Sequence, residues 1–349
     1  MRILVVNAGS SSLKLSLVGG AEPWAHNLDG PDAAVGPALQ DLPEAPDAVG
    51  HRVVHGGERF HSAVRIDDEV LGALRDLTML APLHQPKSIA GIEAVTAALP
   101  GVPAVACFDT AFHATLPPAA STYALPAAWR SHYGVRRFGF HGLSHAYASR
   151  IAAASRVVTC HLGAGASLCA VRDGRSVDTT MGFTPLDGLV MATRPGSVDP
   201  GLLLWLQQHE GLGVDEMAER LEHSSGLRGL AGTGDMRELL ERSDADAQLA
   251  LDVYVHRLRA GIAAMTASLG GLDTLVFTGG VGERAPRVRA LACEGLAFLG
   301  VEIDPLANDA AAGEADVAVS PAEAAVRVLV VPAREDLEIA VQTEAALGA

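Results

Sequence analysis

Ile3-Leu-Val-Val-Asn-Ala-Gly-Ser-Ser-Ser-Leu-Lys-Leu-Ser-Leu-Val18 is the stretch on which the fold turns. The apolar run from Ile3 to Val6 predicts a buried strand, and Leu13, Leu15 and Leu17 alternate as a second strand does. Between them lie Asn7, Ala8, Gly9, Ser10, Ser11 and Ser12, all small or hydrogen-bonding. Such a turn lets backbone N–H groups and hydroxyls close on a phosphate, with Lys14 adding a point charge. The same composition also suits a polar hairpin turn with no ligand.

The plan returns in Val157-Val-Thr-Cys-His-Leu-Gly-Ala-Gly-Ala-Ser-Leu-Cys-Ala-Val171: apolar strand, small-residue turn, alternating strand. Ser12-Leu13 and Ser167-Leu168 occupy matching places, and the second turn reads one residue longer. Two such hairpins roughly 150 residues apart predict a duplicated α/β fold in which each half brings one phosphate loop to a central cleft.

Composition narrows the function. A chain of 349 residues is long enough for two cores, which predicts two domains. No apolar run approaches the length of a membrane span, and Met1-Arg2 leads straight into the first strand with no room for a signal peptide. Cys107, Cys160, Cys169 and Cys293 show no metal or redox spacing, which suits a reducing cytoplasm. A formal charge of −15 argues against nucleic acid or an anionic membrane as partner. An anionic substrate must therefore meet a local cluster of positive groups. Lys14 and Lys87 are the only lysines, so arginine supplies the rest.

Several stretches carry such groups. Arg52 stands among apolar neighbours in Ala48-Val-Gly-His-Arg-Val-Val-His-Gly-Gly57, and a buried arginine is costly unless paired or functional. A strand over 102–108 delivers Asp109 at its C-terminal end, where open α/β sheets place their sites, although a helix cap would use the same residue. Residues 81–86 read as a loop and 87–99 as a helix stopped by Pro100. His141, between Phe140 and Gly142, is placed to face a pocket, whereas His145 suits a core position. Turn-rich loops at 184–188 and 193–201 surround Arg194. Leu251, Val255, Leu258, Ile262, Met265 and Leu269 mark a long helix whose stripe is core or a dimer face. Thr274 to Glu283 reads as a strand and a glycine turn before a helix from about Pro286, a setting that suits phosphate contact. Near the C-terminus, Glu335 or Asp336 opens a last helix and could simply complement its dipole.

Together these segments resemble the acetate kinase (acetokinase) family, from Arg2 to the last helix. Val6-Asn-Ala-Gly-Ser-Ser-Ser-Leu-Lys14 and Met181-Gly-Phe-Thr-Pro-Leu-Asp-Gly-Leu189 match the family signatures, and His51–Gly57, Phe108–His113 and Phe138–Gly142 fit equally. The resemblance implies the acetate and sugar kinase/Hsp70/actin fold, a duplicated two-domain actin-like ATPase with its active site in the interdomain cleft. The implied domains are 1–148 with 336–349, carrying the first phosphate loop and part of the acyl site, and 149–335, for nucleotide binding and dimerisation. The implied reaction is direct in-line phosphoryl transfer between ATP and acetate, giving ADP and acetyl phosphate, in a cytoplasmic homodimer. Asn7 and Glu335 resemble the magnesium-site residues, with manganese as a substitute. Arg52 and Arg194 resemble the substrate arginines, His141 the transition-state histidine and Asp109 the catalytic aspartate. Val54, Leu83, Phe140 and Pro185 match the acyl pocket. The nucleotide side corresponds to Ser10, Ser12 and Lys14; to His161, Leu162, Gly163, Ala164 and Gly165; to Asp235, Met236 and Arg237; and to Gly280, Val281, Gly282, Glu283 and Arg284.

The chain departs from the family at Ala164, Gln85 and Arg284, each standing where an asparagine is usual, and it is shorter between Gly19 and Gly50. Propionate or butyrate kinase on the same scaffold is the nearest alternative. A pyrophosphate-dependent acetate kinase, suggested by Ala164, and a non-kinase actin-like ATPase are the others. A carboxylic acid is already ionised at neutral pH, so Asp109 suits orienting an arginine or the magnesium shell better than accepting a proton.

Overall fold

The computed structural model describes residues 1–8, 12–29, 35–82 and 84–348. Ser10 and Leu83 lie outside them, as does the side chain of Ser12. The chain divides into two units: Met1–Ala114 with Phe140–Tyr147 and Arg334–Ala349, and Thr115–Gly139 with Ala148–Ala333. Against the domains implied by the resemblance, residues 115–139 and 148 group with the second unit, and 334–335 with the first.

The first unit holds β1 (Ile3–Ala8), β2 (Ser12–Val18), β3 (Trp24–Asp29), β4 (Ala48–Val53), β5 (Val64–Arg65) and β6 (Ala104–Phe108), in the order β3-β2-β1-β4-β6-β5. β1, β4 and β6 run parallel, and the other neighbours pair antiparallel. Ile3 to Val6 are buried on both faces of the sheet, as a central strand requires. Leu4 and Val6 join Val95 of the helix Gln85–Ala98, while Ile3 and Val5 join Ile339 of the helix Glu335–Leu347. That last helix lies directly on β4. A Cβ at Gly50 would stand 2.5 Å from Thr343 Oγ1 and 2.6 Å from Ile339 Cγ2. Two residues along the same strand, Arg52 meets the N-terminal end of the helix.

The second unit holds β7 (Arg156–Leu162), β8 (Ala166–Arg172), β9 (Arg175–Thr179), β10 (Thr274–Thr278), β11 (Val317–Ala318) and β12 (Arg327–Val330). Their order, β9-β8-β7-β10-β12-β11, repeats the first sheet position for position. Each neighbouring pair also keeps its sense, with β7, β10 and β12 parallel. The expected duplication is therefore present strand by strand, in the manner of actin-like ATPases. The turn lengths run opposite to expectation. The closing pair Ala8↔Leu13 encloses residues 9–12, whereas Leu162↔Ala166 encloses only 163–165, drawn tight by Gly163 N–H donating to Gly165 O at 2.9 Å.

The long helix Ala245–Leu269 packs on β8 through a buried stripe of Leu251, Val255, Leu258, Ile262, Met265 and Leu269. A Cβ at Gly261 would fall 2.7 Å from Leu168 Cδ1, so the stripe is core. Two local expectations change. The glycine turn after β10 is the short helix Gly279–Arg284, and Gln85 opens a helix instead of ending a loop. Among the described residues, no helix is long and apolar enough to cross a membrane.

Candidate active site

In the first unit, four side chains form one chain of polar contacts. β4 is central, so Arg52 emerges between β1 and β6, and Asp109 follows β6 with its N–H donating to Val53 O at 3.0 Å. Arg52 donates to a single oxygen of Asp109, Oδ2, from Nε at 3.0 Å and from Nη2 at 2.6 Å. Its Nη1 donates to Asn7 Oδ1 at 3.3 Å and Ala8 O at 3.2 Å. Asn7 Nδ2 donates in turn to Glu335 Oε2 at 2.8 Å. Burial works to discharge Arg52, but the carboxylates of Asp109 and Glu335 hold its guanidinium above its ordinary value. For Asp109, burial pushes the carboxyl up against the pull of Arg52, with Glu335 adding to the rise. Asp109 is 1% exposed, and its Oδ1 has no partner among the described residues. Asp109 is thus the seat of a guanidinium, with one oxygen in reserve.

Val54 and Phe140 are buried in the same unit, where His55 meets the Phe140 ring edge-on at 5.6 Å. Gln85, wholly buried, donates from Nε2 to His55 O at 3.2 Å and to Leu74 O at 3.3 Å. Its amide therefore ties the backbone after Val54 to the helix Asp68–Asp76. His141 adopts φ 57°, uncommon for a residue with a side chain, directly before Gly142.

The second unit holds Arg194 in a tightly folded loop. Arg194 Nη1 donates to Pro185 O at 3.4 Å, and Met191 N–H donates to Arg194 O at 3.0 Å. Gly226, at φ 61°, packs so close that a Cβ would stand 2.3 Å from Met191 O and 2.6 Å from Arg194 O. Burial lowers the pKa of Arg194, and Glu222 opposes the shift. Arg137, which has no part in the sequence reading above, fastens the segment after β9 that leads into this loop. It donates to Thr180 O at 2.8 Å and Met181 O at 2.9 Å, and stands 3.4 Å from Asp187.

A cavity of about 560 Å³ opens in the second unit, within the usual range for small-molecule sites. Gly163, Ala164, Asp235, Met236, Arg237, Gly280, Val281 and Arg284 line it, joined by Tyr254, Leu227, Arg228 and Thr193, which sequence reading missed. His161, Leu162, Gly165, Gly282 and Glu283 are not among its lining residues. Glu283 accepts instead from Ala333 N–H at 2.8 Å, and Asp235 caps the helix Met236–Glu241 while binding Arg237. That arginine holds the Asp235 carboxyl down at about 2. Ala164, with no side-chain amide, accepts from Ala192 N–H at 3.1 Å through its backbone carbonyl. Behind the cavity wall Arg289 is fully buried and, among the described residues, forms no ion pair within salt-bridge distance, although the charge of Asp309 acts on it. Its donors go to Gly282 O and Glu283 O, both at 2.8 Å, and to Asn308 and Ala311. The one signal for it was an arginine inside the apolar run 288–293.

Asn7 Nδ2 donates to Glu335 Oε2, which sets the carboxamide beside the carboxylate, while the carboxamide oxygen Oδ1 accepts from Arg52 Nη1. Hard oxygen donors, few in number, fit a magnesium-like ion that keeps waters and phosphate oxygens as its remaining ligands. Among the described residues no cluster of three or more His, Cys, Asp or Glu could hold a metal by itself. Lys14 pairs in register with Asn7 on β2.

A model of the acetokinase family matches residues 37–341. The chain is 47% identical to an acetate kinase from Leifsonia xyli subsp. xyli, over 99% of both chains. Its structure is similar to that of an acetate kinase from Entamoeba histolytica, with 33% identity, a TM-score of 0.91 and both chains covered in full. It is similar also to a propionate kinase from Francisella tularensis subsp. tularensis, with 35% identity, a TM-score of 0.89 and 99% of each chain covered. The chain belongs to the acetokinase family.

Proposed function

We propose that this chain transfers the γ-phosphoryl group of ATP to acetate, giving acetyl phosphate and ADP, and runs the same transfer in reverse. The observation that carries the proposal is the part-buried Arg52 guanidinium, seated on one oxygen of the buried Asp109 two residues before Val54. Acetate is ionised at neutral pH, so its oxygen attacks without a base. The obstacle is repulsion between the carboxylate and the γ-phosphate, which Arg52 and Arg194 offset with forked hydrogen bonds. His141 donates to the transferring phosphoryl group as its charge redistributes, and Asp109 orients Arg52. Val54, Leu83, Phe140 and Pro185 are the residues proposed to select the acyl group, by their match to the family's acyl pocket. Ser10, Ser12 and Lys14 act on the phosphates, and the 560 Å³ cavity takes the nucleoside. A divalent cation, magnesium or manganese, held through Asn7 and Glu335, neutralises phosphate charge when bound.

A second copy of the chain is the proposed partner. Support comes from the helix Pro200–His209, where Leu202, Leu204 and Trp205 are 48%, 58% and 48% exposed. The cytoplasm is the proposed location, and four buried, unbridged cysteines suit it.

Trapping acyl phosphate with hydroxylamine tests the activity. Acetate with ATP and magnesium is expected to give acetyl hydroxamate, and ATP hydrolysis without hydroxamate would overturn the proposal. Propionate is the second substrate to try, since the propionate kinase from Francisella tularensis has a similar structure. Specificity constants for acetate, propionate and butyrate decide between them.

A further inference from the structure

The turn that carries His141 is held from outside. A left-handed conformation costs a non-glycine residue on the order of 1–2 kcal/mol, so His141 at φ 57° needs neighbours that fix it. The peptide groups on both sides of it are gripped by one short segment after β6. On the C-terminal side, Gly142 N–H donates to Asp109 O at 2.8 Å, and a Cβ at Gly142 would lie only 2.1 Å from that oxygen. On the N-terminal side, Phe140 O meets His113 Nε2 at 3.0 Å. A carbonyl oxygen only accepts, so this nitrogen carries the proton. His113 belongs to the 3-10 turn Ala111–Thr115 and is 1% exposed. Burial pushes its pKa down to about 4, which leaves the ring neutral at pH 7. The His145 ring stands 5.7 Å from that of His113 and 6.5 Å from that of His141, and His145 N–H donates to His141 O at 2.9 Å.

We propose that His113 is a positioning residue for phosphoryl transfer: by holding the Phe140 carbonyl it sets both the Phe140 ring in the acyl wall and the His141 imidazole. The proposal rests on the roles given above to Phe140 and His141. The carbonyl that His113 grips and the N–H of His141 belong to one planar peptide, so rotating that peptide moves both side chains at once. A displacement near 1 Å in a phosphoryl-transfer site is worth up to about 100-fold in rate. His113 itself touches neither substrate.

The test compares His113→Leu, His113→Gln and His113→Asn in the whole enzyme. Leucine removes the donor, a glutamine amide reaches the Phe140 carbonyl, and asparagine falls short of it. Expected for leucine and asparagine are a fall in kcat of about 10- to 100-fold, an unchanged KM for ATP and a raised propionate-to-acetate ratio. Glutamine is expected to restore most of the kcat. If His113→Leu fails to fold, the glutamine and asparagine pair decides. Equal losses in the two amides, or a wild-type kcat in the leucine variant, would overturn the proposal. His141→Ala is measured beside them. If it keeps full turnover, the role of His141 fails by itself. If it collapses while His113→Leu does not, only the role of His113 fails.

Discussion

Asn7, in the first strand, donates from Nδ2 to Glu335 Oε2 at 2.8 Å, although 328 residues separate the two along the chain. The contact joins the end of β1 to the first residue of the helix Glu335–Leu347, and Arg52 stands against both of its members. Under the proposed function, a cation held there would draw on the Glu335 carboxylate and on the Asn7 carboxamide through its Oδ1.

Asn7→Ala removes the carboxamide and leaves Glu335 in place. The magnesium concentration for half-maximal activity is expected to rise about 10- to 100-fold, the usual scale for losing a metal-site support. Titrating magnesium at saturating ATP measures it, and an unchanged requirement returns Asn7 to the role of a hairpin residue.

Arg194→Ala is expected to lower turnover at least about 100-fold, the scale for one transition-state donor. The loop around it is closed by backbone bonds such as Met191 N–H to Arg194 O, which the substitution retains. A steady-state assay at saturating acetate reads the effect. Near-wild-type turnover would remove Arg194 from the chemistry.

Gln85→Leu leaves two buried carbonyls, those of His55 and Leu74, without their donor. Stability is expected to fall by about 1–3 kcal/mol, read from urea unfolding. Equal midpoints for the two proteins would show that these bonds carry no net weight.

Burial pushes His51 down to about 3, and His55 and His113 down to about 4. An unfolded histidine titrates near 6.5, so only the unfolded chain gains these protons as pH first falls below that value. Their contribution is full above about pH 6.5 and is lost as pH falls toward the folded pKa values, by about 1.4 kcal/mol per pH unit for each ring. Asp109, raised by burial, works in the opposite sense, while Asp47 and Asp235 are exposed enough for solvent to screen them. Urea midpoints are therefore expected to drop from pH 6.5 to 5, and a flat profile would contradict three neutral buried rings.

What the sequence revealed followed from periodicity. Ile3–Val6 and Val157–Cys160 are apolar runs beside small-residue turns, and both became β-hairpins at the same place in matching sheets. The long-helix stripe was equally plain, but only the near-contact of Gly261 with Leu168 tells core from interface. Hidden from sequence were features made by contacts between distant segments. Arg289 binds Asn308 and Ala311, Gln85 reaches back to His55 and Leu74, and Tyr254 lines a cavity from within a core helix. Gly279-Gly-Val-Gly-Glu-Arg284 looked like a turn because glycine disfavours helix. Glycine there answers a different demand, since a Cβ at Gly279 would lie 2.8 Å from Leu162 O. The partnership of Asn7 with Glu335 had no local signal at all and came from the family resemblance.

Isotope transfer tests the central claim, attack by the acid's own oxygen on the γ-phosphoryl group, most directly. Acetate labelled in both oxygens with ¹⁸O is incubated with ATP, magnesium and hydroxylamine, and the released phosphate is weighed by mass spectrometry. Hydroxylamine takes the acyl group and leaves the bridging oxygen on phosphorus. Each hydroxamate formed should therefore accompany one phosphate carrying a single ¹⁸O. Unlabelled phosphate, released without hydroxamate, would contradict it.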